Sequence, residues 1–220
     1  METIRVVQTR IETAARASGR DGVSVQLVAV SKNQPDDKID AALRAGLRVF
    51  GENRVQEAQK RWGRHHAEGR RALYPDMSLH LIGPLQTNKV RDAVALFDVI
   101  ETVDRPKLAQ ALATEMQAQK RSLPCFIQVN TGDEAQKSGC SVADVPDLLQ
   151  FCRDLGLNVT GLMCIPPVDV DPAPHFQLLR DLSGRCGLSN LSMGMSADFE
   201  TAIAYGATHV RVGSALFGAR

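Results

Sequence analysis

A lysine follows a short apolar segment near the start of the chain. Residues Leu27 to Lys32 read Leu-Val-Ala-Val-Ser-Lys, and an apolar run of this length is typical of a buried parallel strand. Lys32 is therefore predicted at the carboxyl end of that strand, at the mouth of a pocket. An amine in apolar or cationic surroundings loses hydration, its pKa falls, and it becomes a nucleophile able to form an imine with an aldehyde. The alternative is a solvated lysine just past a strand end, which is the commoner case for a lysine taken alone.

Two segments near the carboxyl end combine glycine with serine after predicted strands: Met193 to Ser196 and Arg211 to Ser214. Small residues allow the backbone to approach an anion closely, and the two serines can add hydroxyl donors. Ordinary helix caps in tight turns are the alternative for either segment alone. Because both segments show the same signature, the sequence favours a phosphate site there.

Strand patterns alternate with helical patterns along the whole chain, with no linker between them. The predicted strands are residues 25–31, 47–50, 79–82, 98–101, 125–129, 157–164, 191–193 and 209–212. The predicted helices are residues 3–18, 35–45, 51–61, 86–96, 105–120, 142–154, 172–185 and 197–205.

Strict alternation over eight units predicts an α/β fold, a single (β/α)8 TIM barrel with an extra N-terminal helix, in one domain over residues 1–220. A doubly wound open sheet is the alternative. Its usual glycine-rich turn after the first strand is absent, since Ser31-Lys32-Asn33-Gln34 stands there.

A barrel sorts the candidate residues by topology, because the loops after strands form its reactive face. The residues predicted at that face are Lys32, Asn53, Gly83, Lys137, Cys164, Ser196, Gly213 and Ser214. Those predicted at the opposite face are Trp62, His65, His66, Tyr74 and Tyr205. Barrel closure sets the last strand beside the first, so a phosphate at the two serines lies next to Lys32. A phosphorylated aldehyde could span them.

Arg211 alternates with Val210 and Val212 and is predicted on the opposite side of the last strand from them. If that side is the barrel interior, the fixed positive charge can face a ring or an anion.

Composition excludes several classes of function. A net charge of +1 gives no basic face for nucleic acid, and no apolar run approaches the roughly 20 residues of a membrane span. With no leader-like segment at the start, we expect a cytoplasmic protein. Five cysteines without paired spacing indicate reduced structural thiols. No metal site is predicted, because His65-His66 has no acidic or cysteine partner at ligand spacing and is interpreted as a solvated loop.

Several motifs together resemble the pyridoxal phosphate homeostasis protein family, in the right order and over nearly the whole chain. The motifs are Ala29-Val30-Ser31-Lys32, Phe50-Gly51-Glu52-Asn53 with Val55-Gln56-Glu57, His80 to Lys89, Gly161 to Pro166, Met193 to Glu200, and Arg211 to Gly218.

This resemblance implies a barrel related to the N-terminal domain of alanine racemase, with pyridoxal 5′-phosphate held as a Schiff base on Lys32. It places Asn53 near the cofactor ring and Arg211 opposite the pyridine nitrogen, which an arginine keeps unprotonated. It assigns the phosphate to Ser196, Gly213 and Ser214. The family holds free cofactor low and supplies it to apo-enzymes, without an established catalytic activity. No catalytic residue is therefore assigned, and we expect a monomer that contacts apo-enzymes transiently.

The sequence departs from the family pattern in two places. Asn33 and Gln34 stand where the family often has a second lysine after the first. The polar segment from Trp62 to Met77 is predicted to lie at the surface and is longer than is usual in the family. Lys137 matches a lysine often seen after the fifth strand and is interpreted either as assisting transfer or as a solvated loop residue.

Two alternative hypotheses make the protein an enzyme. An amino-acid racemase or decarboxylase would use the same cofactor, but such a racemase is expected to need a tyrosine from a second domain. The sequence ends after its eighth predicted strand–helix unit. Tyr74 and Tyr205 are predicted at the face opposite the reactive one. A metal-free aldolase would use Lys32 without the cofactor.

Overall fold

A closed barrel of eight parallel strands, in sequence order, forms the centre of the molecule. The protein is represented by a computed structural model that describes residues 2–63 and 69–218. The strands are β1 Gln26–Val30, β2 Val49–Glu52, β3 Ser78–Leu81, β4 Val99–Val103, β5 Cys125–Val129, β6 Val159–Cys164, β7 Asn190–Ser192 and β8 His209–Val212. Pairing of β1 with β8 closes the ring. The predicted TIM barrel is confirmed, and the open-sheet alternative is wrong.

Helices surround the barrel. They are α1 Glu2–Ala17, α2 Asp36–Arg44, α3 Val55–Trp62, α4 Arg70–Leu73, α5 Val90–Leu96, α6 Pro106–Ala118, α7 Val145–Asp154, α8 Ala173–Arg185, α9 Phe199–Ala204 and α10 Ser214–Phe217. Short 3₁₀ helices lie at Gly22–Ser24 and Thr87–Lys89. Most elements begin or end within a few residues of their predicted bounds.

The extra N-terminal helix is confirmed as α1. Its buried side chains Ile4, Val7 and Ile11 recur at helical spacing, so one face is apolar and packs on the barrel's outer layer. Arg10 on α1 donates two hydrogen bonds to Glu200 on α9, at 2.8 and 2.7 Å. Both side chains are more than a third exposed, so apolar packing supplies most of the attachment.

Strand residues alternate between two environments. One set, which includes Phe50, Leu79 and Ile127, is fully buried against the helices and forms the main apolar core. The other set points into the barrel, where a Cβ on Gly51 would meet Ile82 of the β3 loop at 2.9 Å and Val28 of β1 at 3.0 Å. This interior contains the charged and polar residues described below.

The prediction that the segment from Trp62 to Met77 lies at the surface is partly wrong. Trp62 is the last residue of α3 and is 1% exposed, with its ring 4.9 Å from that of Phe50. The helical period places it on the same face as the buried Val55 and Ala58, a signal that the polar residues after it obscured. A short helix, α4, was also missed. His65 and His66 lie outside the described residues.

Within the described ranges, no helix is long and apolar enough to cross a bilayer. The same ranges contain no group of three or more His, Cys, Asp or Glu side chains arranged to hold a metal ion. All five cysteines are unpaired, and only Cys186 is more than slightly accessible.

Candidate functional site

A cavity of about 340 Å³ opens at the carboxyl ends of the strands. This volume is in the range of small-molecule sites. The cavity lining includes all six residues that the family resemblance assigns to the cofactor, which are Lys32, Asn53, Ser196, Arg211, Gly213 and Ser214. They come from the loops after β1, β2 and β7 and from β8 with its loop, four strands that barrel closure makes consecutive.

Lys32 lies in a tight turn after β1. The amide of Gln34 donates to the carbonyl of Ser31 at 3.1 Å, and Asn33 has a φ of 57°, in the left-handed region that asparagine tolerates better than most residues. Lys32 shares the cavity wall with the apolar side chains of Val30 and Ile82. The wall around Lys32 therefore combines apolar side chains with the polar and cationic groups described below.

Asn53 follows β2 and supplies an unpaired acceptor. Its Oδ1 is buried and has no hydrogen-bond partner among the residues that the structure describes. Gly83 allows the Asn53 backbone to pack close to the β3 loop, because a Cβ on Gly83 would lie 2.3 Å from the Asn53 carbonyl oxygen. A buried polar atom without a partner at a cavity wall is satisfied when a ligand supplies the missing hydrogen bond.

The loops after β7 and β8 are tied together through Ser196. Its Oγ accepts hydrogen bonds from the amides of Gly213 at 3.2 Å and Ala215 at 3.3 Å. Two accepted bonds occupy both lone pairs of the hydroxyl and leave its proton to be donated. Ser214 lines the cavity beside it. The pair can therefore donate hydrogen bonds to an anion such as a phosphate.

Arg211 lies on the interior side of β8, on the opposite side from Val210 and Val212, and is 3% exposed. Its guanidinium donates to the Ser192 hydroxyl and to the Cys164 carbonyl, both at 2.7 Å. These two bonds fix the planar group at the base of the cavity and leave other N–H donors for a ligand.

Below Arg211, a buried carboxylate joins strands on opposite sides of the barrel. Glu101 of β4 bonds the His80 imidazole at 2.6 Å and accepts a hydrogen bond from Ser192 of β7 at 2.5 Å. Since β4 and β7 are not neighbours, the second bond crosses the barrel interior. Glu101 thus connects Arg211, through Ser192, to His80.

The pKa values of this buried group follow from its neighbours. Burial alone would raise the pKa of Glu101, but the hydrogen bond and charge of His80 and the charges of Arg211 and His209 outweigh it and lower that pKa to about 2. Burial lowers the pKa of His209 to about 4, against the opposing effect of Glu101. Glu101 is therefore an anion at neutral pH and supplies a counter-charge for Arg211.

Three residues predicted at the reactive face, Gly83, Lys137 and Cys164, do not line the described cavity. Lys137 forms an ion pair with Glu134 at 2.6 Å and points its Nζ toward the Pro166 carbonyl at 3.5 Å. Cys164 contributes its carbonyl to Arg211, while burial raises the pKa of its thiol to about 12 and makes it a poor nucleophile.

Sequence reasoning missed the cavity's apolar walls and the network beneath it. Ile165 and Met195 line the mouth and are more than a third exposed, as expected of residues just past β6 and β7. Their positions just after predicted strands could have identified them. Glu101 and Ser192 carry no local signal, because their contact joins residues 91 positions apart.

The two tyrosines lie at the opposite end of the barrel, as predicted. Tyr74 precedes β3, and its ring centre lies 4.8 Å from the Cζ atom of the Arg48 guanidinium. Tyr205 follows the last residue of α9.

Comparison with known proteins gives consistent results. Residues 7–220 match the family described as alanine racemase, N-terminal domain. A pyridoxal phosphate homeostasis protein of Pseudomonas aeruginosa is 45% identical, with 100% of this chain and 95% of the relative covered. The Escherichia coli protein of the same description is 39% identical over 97% of this chain and 94% of the relative. The structure of PipY from Synechococcus elongatus with PLP bound superposes with a TM-score of 0.76, at 38% identity, covering 89% of this chain and 93% of PipY.

Proposed function

Since the chain belongs to the pyridoxal phosphate homeostasis protein family, we propose that it binds pyridoxal 5′-phosphate at the barrel mouth and acts in the homeostasis of that cofactor. Lys32 is the amine that holds the cofactor's aldehyde as a Schiff base. Asn53 contacts the ring, and Arg211 faces the ring nitrogen. The phosphate is held by Ser196, Gly213 and Ser214.

One observation carries this proposal: an amine, an arginine and two serine hydroxyls converge on one cavity. These are the groups that a phosphorylated aldehyde with a basic ring requires. The buried Asn53 Oδ1 without a described partner adds an acceptor at the same wall. The groups present therefore fit the cofactor.

Each residue has a separate task. Lys32 supplies the nucleophile for the aldehyde. The serines donate hydrogen bonds to the phosphate, and such charge-assisted bonds are the strong ones. Arg211 carries donors only, so it can donate to a ring nitrogen but accepts no proton from it. The bound cofactor supplies an aldehyde reactive toward amines and a ring that withdraws electrons, and Arg211 weakens the second property.

A protein that binds the cofactor and converts no substrate with it is suited to storing and delivering that cofactor. We propose that the protein keeps free cofactor low and supplies it to apo-enzymes. The transient contact with those enzymes, the monomeric state and the cytoplasmic location remain predictions.

The proposal is tested by absorbance and reduction. Protein incubated with pyridoxal 5′-phosphate and desalted is expected to be yellow, and borohydride is expected to bleach it and fix the cofactor. Lys32→Ala is expected to lose the colour while keeping its fold by circular dichroism. A colourless wild-type protein that traps only an added aldehyde substrate would instead support the aldolase.

Racemisation is the second candidate, because the match to the alanine racemase N-terminal domain covers residues 7–220. Inversion needs an acid or base on each side of the reacting carbon. Tyr74 and Tyr205 lie at the far end of the barrel and supply neither. We expect negligible alanine racemase turnover in a coupled assay of the cofactor-loaded protein, and a rate comparable with racemases would overturn the carrier role.

A further inference from the structure

An arginine outside the cavity holds the turn that carries Lys32. Arg61, near the end of α3, donates from Nη1 to the Ser31 carbonyl at 2.8 Å and from Nη2 to the Gln34 carbonyl at 2.9 Å. These carbonyls belong to the first and last residues of the tight turn. The guanidinium therefore bridges both ends of the segment whose second residue is Lys32.

A buried carboxylate fixes Arg61 in turn. Glu52, the last residue of β2, is fully buried, and its Oε1 accepts from Arg61 Nη1 at 2.8 Å. The same oxygen accepts from the Ser31 hydroxyl at 2.7 Å and from the Trp62 indole at 3.0 Å. The Arg61 side chain is only 15% exposed, so this ion pair is well shielded from water.

The turn needs such support for a physical reason. Asn33 occupies the left-handed region, at a φ of 57°, which carries some conformational cost even though asparagine tolerates it better than most residues. The turn's own hydrogen bond, from the Gln34 amide to the Ser31 carbonyl, is a modest one at 3.1 Å. The Ser31 amide also donates to the Gly51 carbonyl at 3.1 Å, but this bond holds only the first residue of the turn. Loss of Arg61 removes the bridge between the two ends of the turn.

We propose that Arg61, held by Glu52, is a positioning residue that presents the Lys32 amine to an aldehyde in the cavity. The inference rests on the proposed function and extends it to a pair that the sequence analysis did not single out. Arg61 does not touch the cavity itself. Gln34, whose carbonyl Arg61 bonds, does line the cavity. We expect the larger effect on ligands that react with Lys32, because apparent affinity falls with the fraction of time that the binding conformation is populated.

Two ligands distinguish a positioning role of Arg61 from a general effect of Arg61 on the stability of the protein. Pyridoxal 5′-phosphate reacts with Lys32, whereas pyridoxine 5′-phosphate has an alcohol in place of the aldehyde and cannot. For Arg61→Met, we expect the dissociation constant of the aldehyde to rise by about tenfold or more, since small misplacements of a reacting group have large effects. We expect that of the alcohol to change by less than about twofold.

The control is Arg48→Met. Arg48 also donates to two backbone carbonyls, of Leu43 and Leu47, and to a carboxylate, Asp76, but at the opposite end of the barrel. We expect this variant to bind both ligands as the wild type does. Arg61→Met leaves Glu52 buried without its cation, so the double variant Glu52→Gln/Arg61→Met provides the test if the single variant does not fold.

The outcomes are distinct. Selective loss of aldehyde binding in either Arg61 variant supports the proposal. Equal loss of both ligands, or no loss of either, would overturn it and leave Arg61 as a structural ion pair. If the wild type itself binds the aldehyde no better than the alcohol, the proposed imine on Lys32 fails, which is a different result.

Discussion

The phosphate assignment makes a quantitative prediction for the double variant Ser196→Ala/Ser214→Ala. In this assignment each hydroxyl would donate to a charged phosphate, and a hydrogen bond of this kind contributes roughly 1.5–3 kcal/mol. Loss of two such bonds would weaken binding by about 3–6 kcal/mol, or roughly 10²- to 10⁴-fold.

The structure places the result at the lower end of that range. In the wild type, the Ser196 hydroxyl accepts from the amides of Gly213 and Ala215. When the hydroxyl is removed, these amides are free to donate to the phosphate directly and offset part of the loss. We therefore expect about a hundredfold weaker binding of pyridoxal 5′-phosphate.

Equilibrium titration monitored by absorbance measures the effect, with pyridoxal as the control ligand. Pyridoxal keeps the aldehyde but lacks the phosphate, so its affinity is expected to change little. Ser141→Ala is the control variant, since Ser141 is a loop serine that bonds Asp144 outside the described cavity lining. Unchanged affinity for the phosphorylated ligand, or an equal loss for both ligands, would refute the assignment of the phosphate to these loops.

Other expectations follow from the buried network and from one glycine. Glu101 and His209 both have lowered pKa values in the fold, about 2 and about 4, so the unfolded chain binds more protons in acid and stability falls as the pH drops. In urea titrations, the free energy of unfolding is expected to fall between about pH 6.5 and 4 because of His209, and between about pH 4.5 and 2 because of Glu101. The fall caused by Glu101 is expected to be about 3 kcal/mol, and Glu101→Gln is expected to remove it. A flat profile for the wild type would contradict both shifts. Gly83→Ala forces a Cβ against the Asn53 carbonyl at 2.3 Å, so we expect weaker cofactor binding and roughly 1–3 kcal/mol lower stability. Gly184→Ala on α8, which meets no atom within 4 Å, is expected to be neutral or stabilising, and similar losses in both variants would remove the steric argument.

The barrel could be predicted from sequence because its signals are local and repeated. Each strand is a short apolar run and each helix shows its own period, so β5 and β8 were placed at their observed bounds. Helix starts were less accurate. The helix predicted from residue 142 begins at Val145, after a turn in which the Ser141 hydroxyl donates to the Asp144 carboxylate at 2.7 Å.

The cavity residues could also be predicted, because topology alone brings the ends of β1, β2, β7 and β8 together. What could not be predicted is what lies behind them. In our proposal, Glu52 and Arg61 support Lys32 from 20 and 29 positions further along the chain, and Glu101 reaches Ser192 across the barrel. Such contacts depend on side-chain direction within the folded barrel, which no spacing in the sequence encodes.

The central claim is a covalent bond between Lys32 and the cofactor aldehyde. Its most direct test is mass spectrometry of the borohydride-reduced, cofactor-loaded protein, with the modified residue located by peptide sequencing. We expect one reduced pyridoxyl phosphate group per chain, on the peptide that contains Lys32. Modification spread over surface lysines, or located on Lys137 with Lys32 unmodified, would contradict it.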